Sequence, residues 1–129
     1  MTDPTVRDYV AGAALANSLA WLTLGITFMF EINLGGLLHF MLSAYLFGGI
    51  LAGYLVSRKA SQGYLKTGLK TGAGAFILHI YVFMGVLELL WGQRVLLLWD
   101  HLLIFAVFLM GSLVGAILLQ HVALRVQAV

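Results

Sequence analysis

The chain contains no cysteine. That excludes disulfides, thiolate zinc sites and cysteine-ligated iron–sulfur clusters. It contains one proline, Pro4, which lies ahead of every apolar stretch. No span is broken by a missing backbone donor, so the interrupted helices that hold ions in many transporters are not signalled. Charge is scarce as well: 9% of residues are Asp, Glu, Lys or Arg, against about 25% in soluble domains. A small chain has a large surface for its volume, and this one has too little charge to keep that surface in water. Catalytic signatures are missing too. There is no His-Glu-x-x-His, no phosphate-binding loop, no Gly-x-Ser-x-Gly and no dinucleotide fingerprint, so no enzymatic activity is expected. Basic patches with interleaved aromatics are also missing, which argues against a nucleic-acid partner.

What is present is apolar. The 129 residues are 62% hydrophobic, with a mean hydropathy of +1.02. Four stretches stand out, at 9–30, 34–56, 71–91 and 95–124. Each reaches the roughly 20 residues that cross about 30 Å of hydrocarbon as a helix. Lipid offers backbone groups no partners, so they must pair within the segment, and helices do this. The alternating short strands of a barrel are not seen. The pattern predicts an all-α integral membrane protein with four transmembrane helices in a single domain, 1–129. A hairpin at 9–56 and another at 71–124 are joined by a basic loop at 57–70. The first stretch is longer than the apolar part of a signal peptide, and two acids outweigh one arginine ahead of it. It is expected to remain as a helix.

Lys and Arg set the orientation. Arg7, Arg58, Lys59, Lys66, Lys70 and Arg125 fall on one side of a four-span topology, and Arg94 alone falls on the other. The termini and central loop are therefore expected on the cytoplasmic side of the inner membrane.

A shift of 62 residues aligns Ala11-Gly12-Ala13 with Ala73-Gly74-Ala75, His39 with His101, Gly49 with Gly111 and Gly53 with Gly115. This register reads as two parallel helical-hairpin repeats, with chance matching in so Gly-, Ala- and Leu-rich a chain as the alternative. Gly49-x-x-x-Gly53 and Gly111-x-x-x-Gly115 each place two glycines on one helix face, where backbones can approach closely. They are expected to serve helix packing, and one of the two faces is expected to be free for another subunit or for self-association.

Ionisable residues inside a membrane are expensive and point to function. Glu31, Glu88, Arg94 and Asp100 are expected to form a polar cluster closing the outer end. His39 and His101 fall at one depth on separate helices. That pattern suits the axial ligands of a b-type haem, or a metal ion shared with Glu88 or Asp100; hydrogen bonds to neighbouring helices are the simpler use. His79 lies opposite Asn17 in the repeat register, and a hydrogen bond between them is expected. His121 is expected in water.

The run FGGILAGYLVSRKASQGYLKTGLKTGAGAF at 47–76 contains Gly-Gly-x-x-Ala-Gly-Tyr from Gly48 to Tyr54, followed by glycines spaced by four. It resembles a pattern in small four-helix prokaryotic, especially archaeal, membrane proteins of unknown function. The resemblance implies four helices and no activity. Three functions fit the sequence. One is a non-catalytic membrane subunit or scaffold of a larger complex, surrounded by membrane lipids. The second is a redox subunit carrying haem or metal on His39 and His101, although no cofactor is the plainer expectation. The third is a small transporter or channel.

The orientation has a direct test. A cysteine at Ser61 should react with a membrane-impermeant reagent only after the inner face is opened, and one at Gln93 should react in intact cells. The opposite labelling would invert the topology.

Overall fold

The structure, a computed structural model, describes residues 3–29, 37–92 and 97–128. Helix α1 spans Val6–Met29, α2 spans Leu37–Ser57 and α3 spans Tyr64–Val82. A π-helical segment, Phe83–Leu87, continues α3 into a short helix, α4, at Glu88–Trp91. Helix α5 spans Leu98–Ala128. Four helical segments are long and apolar enough to cross a membrane: Val6–Ile26, Leu38–Ser57, Tyr64–Val86 and Leu98–Gln127. The chain is an all-α four-helix bundle.

Local chemistry explains the helix ends. Thr5 and Asp8 form a reciprocal capping box at the start of α1. Thr5 N–H donates to Asp8 Oδ2 (2.8 Å), and Asp8 N–H donates to Thr5 Oγ1 (3.4 Å), so two otherwise orphaned donors are satisfied. Asp100 accepts from Leu97 N–H (2.9 Å) and caps the start of α5. Helix α3 begins at Tyr64, after Gly63 in the left-handed region (φ 71°). This is seven residues earlier than hydropathy placed the third span. The turn Lys66–Lys70 is helical with both lysines exposed. An exposed Lys-bearing turn keeps good helix propensity while depressing hydropathy, so the basic loop shrinks to 58–63.

Helices α2 and α3 pack together, and α1 and α5 each pack against both of them. The ends of the bundle are tied by polar contacts. Lys59 forms an ion pair with Asp8, and Ser61 N–H and Oγ–H donate to Asp3 Oδ1 (3.3 and 3.0 Å). The N-terminus and the loop after α2 therefore share one end, the basic end.

The burial pattern suits a bilayer. Small residues lie inside, among them Ala13, Ala16, Ala20, Ala52, Ala75 and Ala116. Large ones such as Leu22, Phe47, Ile77, Trp99 and Met110 face outward. Lipid supplies no hydrophobic force between helices, so association rests on close approach. Close backbone approaches join α2 to α5. A Cβ on Gly49 would lie 3.4 Å from the Cα of Gly111, and one on Gly115 would lie 2.6 Å from the backbone nitrogen of Tyr54. A Cβ on Gly53 would meet the backbone of Ser112. Both Gly-x-x-x-Gly faces are thus buried against each other, and neither is left over for another chain. Gly48 seats the backbone of Ala16 in the same way and holds α1 to α2.

Gly53→Ala and Gly115→Ala should each destabilise the bundle by about 1–3 kcal/mol, because the colliding atoms are backbone and cannot rotate away. Gly25→Ala, whose new Cβ meets nothing within 4 Å, should be neutral or up to about 1 kcal/mol stabilising through helix propensity. Thermal unfolding in mild detergent measures the difference. Equal melting for all three would mean that α2 and α5 do not meet at these glycines.

Candidate functional site

Helix α3 carries Thr67, Thr71, Ala75 and His79 at intervals of four, Phe83 at the start of the π segment continues the series, and all five are buried. Residues so spaced line one helix face, here the interior of the bundle. The threonines are satisfied locally: Thr67 Oγ1–H donates to Gly63 O (3.2 Å) and Thr71 Oγ1–H to Thr67 O (2.8 Å). Ser112 of α5 likewise donates to Phe108 O (2.7 Å).

His79 differs, because both of its ring nitrogens have side-chain partners from other helices. Its Nδ1 is 2.9 Å from the hydroxyl of Tyr45 on α2, and its Nε2 is 3.1 Å from Nδ1 of His101 on α5. Beyond that, His101 Nε2 faces Glu88 Oε1 at 4.0 Å, ion-pair range but longer than a hydrogen bond. Tyr45 and His79 are fully buried, and His101 is 5% exposed. Aromatic rings seal the line. Phe83 lies 4.7 Å from His79 and Phe108 lies 4.6 Å from Tyr45, centroid to centroid.

The π segment brings Glu88 into this arrangement. At about 100° per residue, an unbroken α-helix would put Glu88 on the side opposite His79. Phe83–Leu87 closes wider turns, with Glu88 N–H bonding to Phe83 O, five residues back. The wider turn swings the carboxylate toward His101. Such π turns recur at functional sites.

The line has a definite chemistry. A neutral imidazole donates from one nitrogen and accepts at the other. If Tyr45 O–H donates to His79 Nδ1, then His79 Nε2–H donates to His101 Nδ1, and His101 Nε2–H points to Glu88. The reverse ordering holds when Glu88 is protonated: its O–H points to His101 Nε2, His101 Nδ1–H donates to His79 Nε2, and His79 Nδ1–H donates to the Tyr45 oxygen. Two orderings of the same atoms are what a proton relay requires.

The residues singled out by sequence divide as follows. His101 and Glu88 belong to the line. His39 does not: it lies on the exposed face of α2 beside Phe40 and Ser43. Met41 and Tyr45 are on the buried face, and two residues turn His39 about 200° from Met41. The two histidines that the 62-residue register aligns therefore meet different surroundings, His39 exposed and His101 buried. Asp100 caps α5. Glu31 and Arg94 lie outside the described residues. Asn17 is buried as expected of a polar group in the interior, but it does not bond His79. Its Nδ2 donates to Ala13 O (2.8 Å) and Ala75 O (3.1 Å), since both nitrogens of His79 are already engaged. Asn17 Oδ1 has no partner among the described residues. His121 is exposed. Among the described residues no three His, Asp or Glu side chains gather as a metal-ion site.

Sequence reading missed Tyr45 and the pairing of His79 with His101. The signal for His79 was available in the four-residue polar stripe of α3. Tyr45 stands four residues before Gly49, one turn from the close contact with α5. The π segment had no comparable signal. No family model, curated protein or solved structure matches the chain.

Proposed function

We propose that the protein is a multi-pass component of the cytoplasmic membrane that handles protons. The line Tyr45–His79–His101–Glu88 carries a proton between the outer end of the bundle and the middle of the bilayer. The observation that supports this reading most is His79, fully buried with both ring nitrogens engaged by side chains of two other helices. Ionisable groups inside a membrane commonly mark proton and ion paths. Once side-chain movement closes the 4.0 Å gap, a proton given by Glu88 to His101 Nε2, and replaced on Glu88 from outer water, lets the Nδ1 proton pass to His79 Nε2. The Nδ1 proton of His79 then passes to the Tyr45 oxygen as a water molecule on the basic side takes the Tyr45 hydroxyl proton. Each imidazole is neutral before and after, so no charge stays buried. Further toward the basic end, the interior holds the polar side chains of Asn17, Thr71 and Ser112. The excess of basic residues supports cytoplasmic termini, which places Glu88 outside.

This reading replaces two others as the best supported. A scaffold was favoured by the minimal loops, the lack of a soluble domain and surplus glycine faces, and the last of these supports falls away because both faces are used within the chain. A haem or metal held by His39 and His101 needs the two side chains together, and His39 faces outward.

Flux into liposomes tests the proposal. Purified protein is reconstituted with an internal pH-sensitive dye, and a potassium diffusion potential is applied. Proton entry should exceed that of protein-free liposomes. Tyr45→Phe should slow it about tenfold or more, consistent with loss of a relay group, and His79→Phe should abolish it. His39→Ala should leave it unchanged. Folded wild-type protein with no flux, or flux indifferent to both relay variants, would overturn the proposal. If the line serves only to join helices, its loss would lower stability by about 0.6–2 kcal/mol per bond without any flux to lose.

A further inference from the structure

A second feature lies at the basic end, between α1 and α3, and does not depend on the proton reading. A polar cavity of about 530 Å³ is lined there by Lys66, Thr67, Lys70, Gln62, Asp3 and Tyr9, among others. Tyr9 also lines a second cavity of about 410 Å³, which continues between the two helices past Val10, Gly74, Ile77 and Tyr81. The second lining is almost wholly apolar. A polar cavity at the basic end and an apolar groove thus meet at Tyr9, one on the side of the lysines and the other running along α1 and α3.

We propose that this cleft holds one anionic phospholipid, its phosphate at Lys66 and Lys70 and an acyl chain in the groove beyond Tyr9. Charge complementarity identifies the occupant. Lys59 is occupied by Asp8. Among the described residues, Lys66 and Lys70 have no ion-pair partner, although both stand exposed at the cavity rim. The one acid in the lining, Asp3, is engaged by Ser61. Thr67 is bonded within its helix, so the lysines supply the attraction. Basic clusters at the cytoplasmic surface attract anionic headgroups. A groove with exposed Val10, Ile77 and Tyr81 suits an acyl chain and nothing charged. Gly74 keeps the groove open: a Cβ there would meet nothing within 4 Å.

The two halves of the site are separable. Full-length protein is placed in nanodiscs of equal phosphatidylglycerol and phosphatidylcholine, and retained lipid is counted by native mass spectrometry. One phosphatidylglycerol should be kept per chain in preference to phosphatidylcholine. Lys66→Gln and Lys70→Gln should each reduce that preference about fivefold. Gly74→Leu puts a side chain into the groove from a position whose Cβ has free space, and should remove retention of both lipids. Millimolar inorganic phosphate should not displace the lipid, because the acyl chain holds it. Equal retention of the two lipids by wild type, a preference untouched in the Lys66→Gln, Lys70→Gln double variant, retention unchanged by Gly74→Leu, or displacement by phosphate would each overturn the proposal.

Discussion

Where Gly49 and Gly53 of α2 meet Gly111 and Gly115 of α5, backbone lies on backbone with no side chain between. In water such a contact would be a minor part of a hydrophobic core. In lipid, where tails are as apolar as leucine, close packing is itself the attraction. The contact also fixes geometry. It sets α2 and α5 side by side, with Tyr45 one turn before Gly49 and α3 packed against both helices. Tyr45, His79 and His101 come within hydrogen-bond distance because those three helices are held at that separation. Wider spacing would leave three buried polar groups unpaired, at a cost of several kcal/mol each in a medium without water.

The bundle therefore has two chemically different ends. At the basic end, polar contacts are exposed and modest: the capping box of Thr5 and Asp8, the ion pair of Lys59 with Asp8, and the lysines at the rim of the α1–α3 cleft. Exposed contacts of this kind are screened by solvent and add little to stability. In the other half, Tyr45, His79, His101 and Glu88 are withdrawn from solvent and arranged in sequence. The π segment belongs to this second group. A π turn gives up regular α-helical hydrogen bonding, and its effect here is to turn one carboxylate toward one imidazole.

The sequence made the helices legible because their physics is simple. Length, apolarity and the need to pair every backbone group define four spans without reference to packing. The boundaries were less legible: α3 starts at Tyr64 because an exposed lysine-bearing turn is helical without being apolar. The site was only half legible. His101 and Glu88 stood out as ionisable groups in an apolar stretch. Their arrangement depends on rotation about the helix axes, which hydropathy does not carry. The 62-residue register suggested that His39 and His101 act alike, yet a turn of about 200° from Met41 sends His39 outward. The four-residue stripe through Thr67, Thr71 and Ala75 would have pointed to His79. Nothing in the composition of Phe83–Leu87 distinguishes a π turn from an α turn.

The hydrogen bond between His79 Nε2 and His101 Nδ1 is the link on which the account rests. Solid-state nuclear magnetic resonance of protein labelled with nitrogen-15 at histidine, in lipid bilayers, observes it directly. The account predicts that His79 shows one protonated and one bare nitrogen, with a through-bond coupling across the hydrogen bond to the His101 ring that disappears in His101→Ala. His39 should show no such coupling. Two uncoupled imidazoles at positions 79 and 101 in folded protein would contradict it.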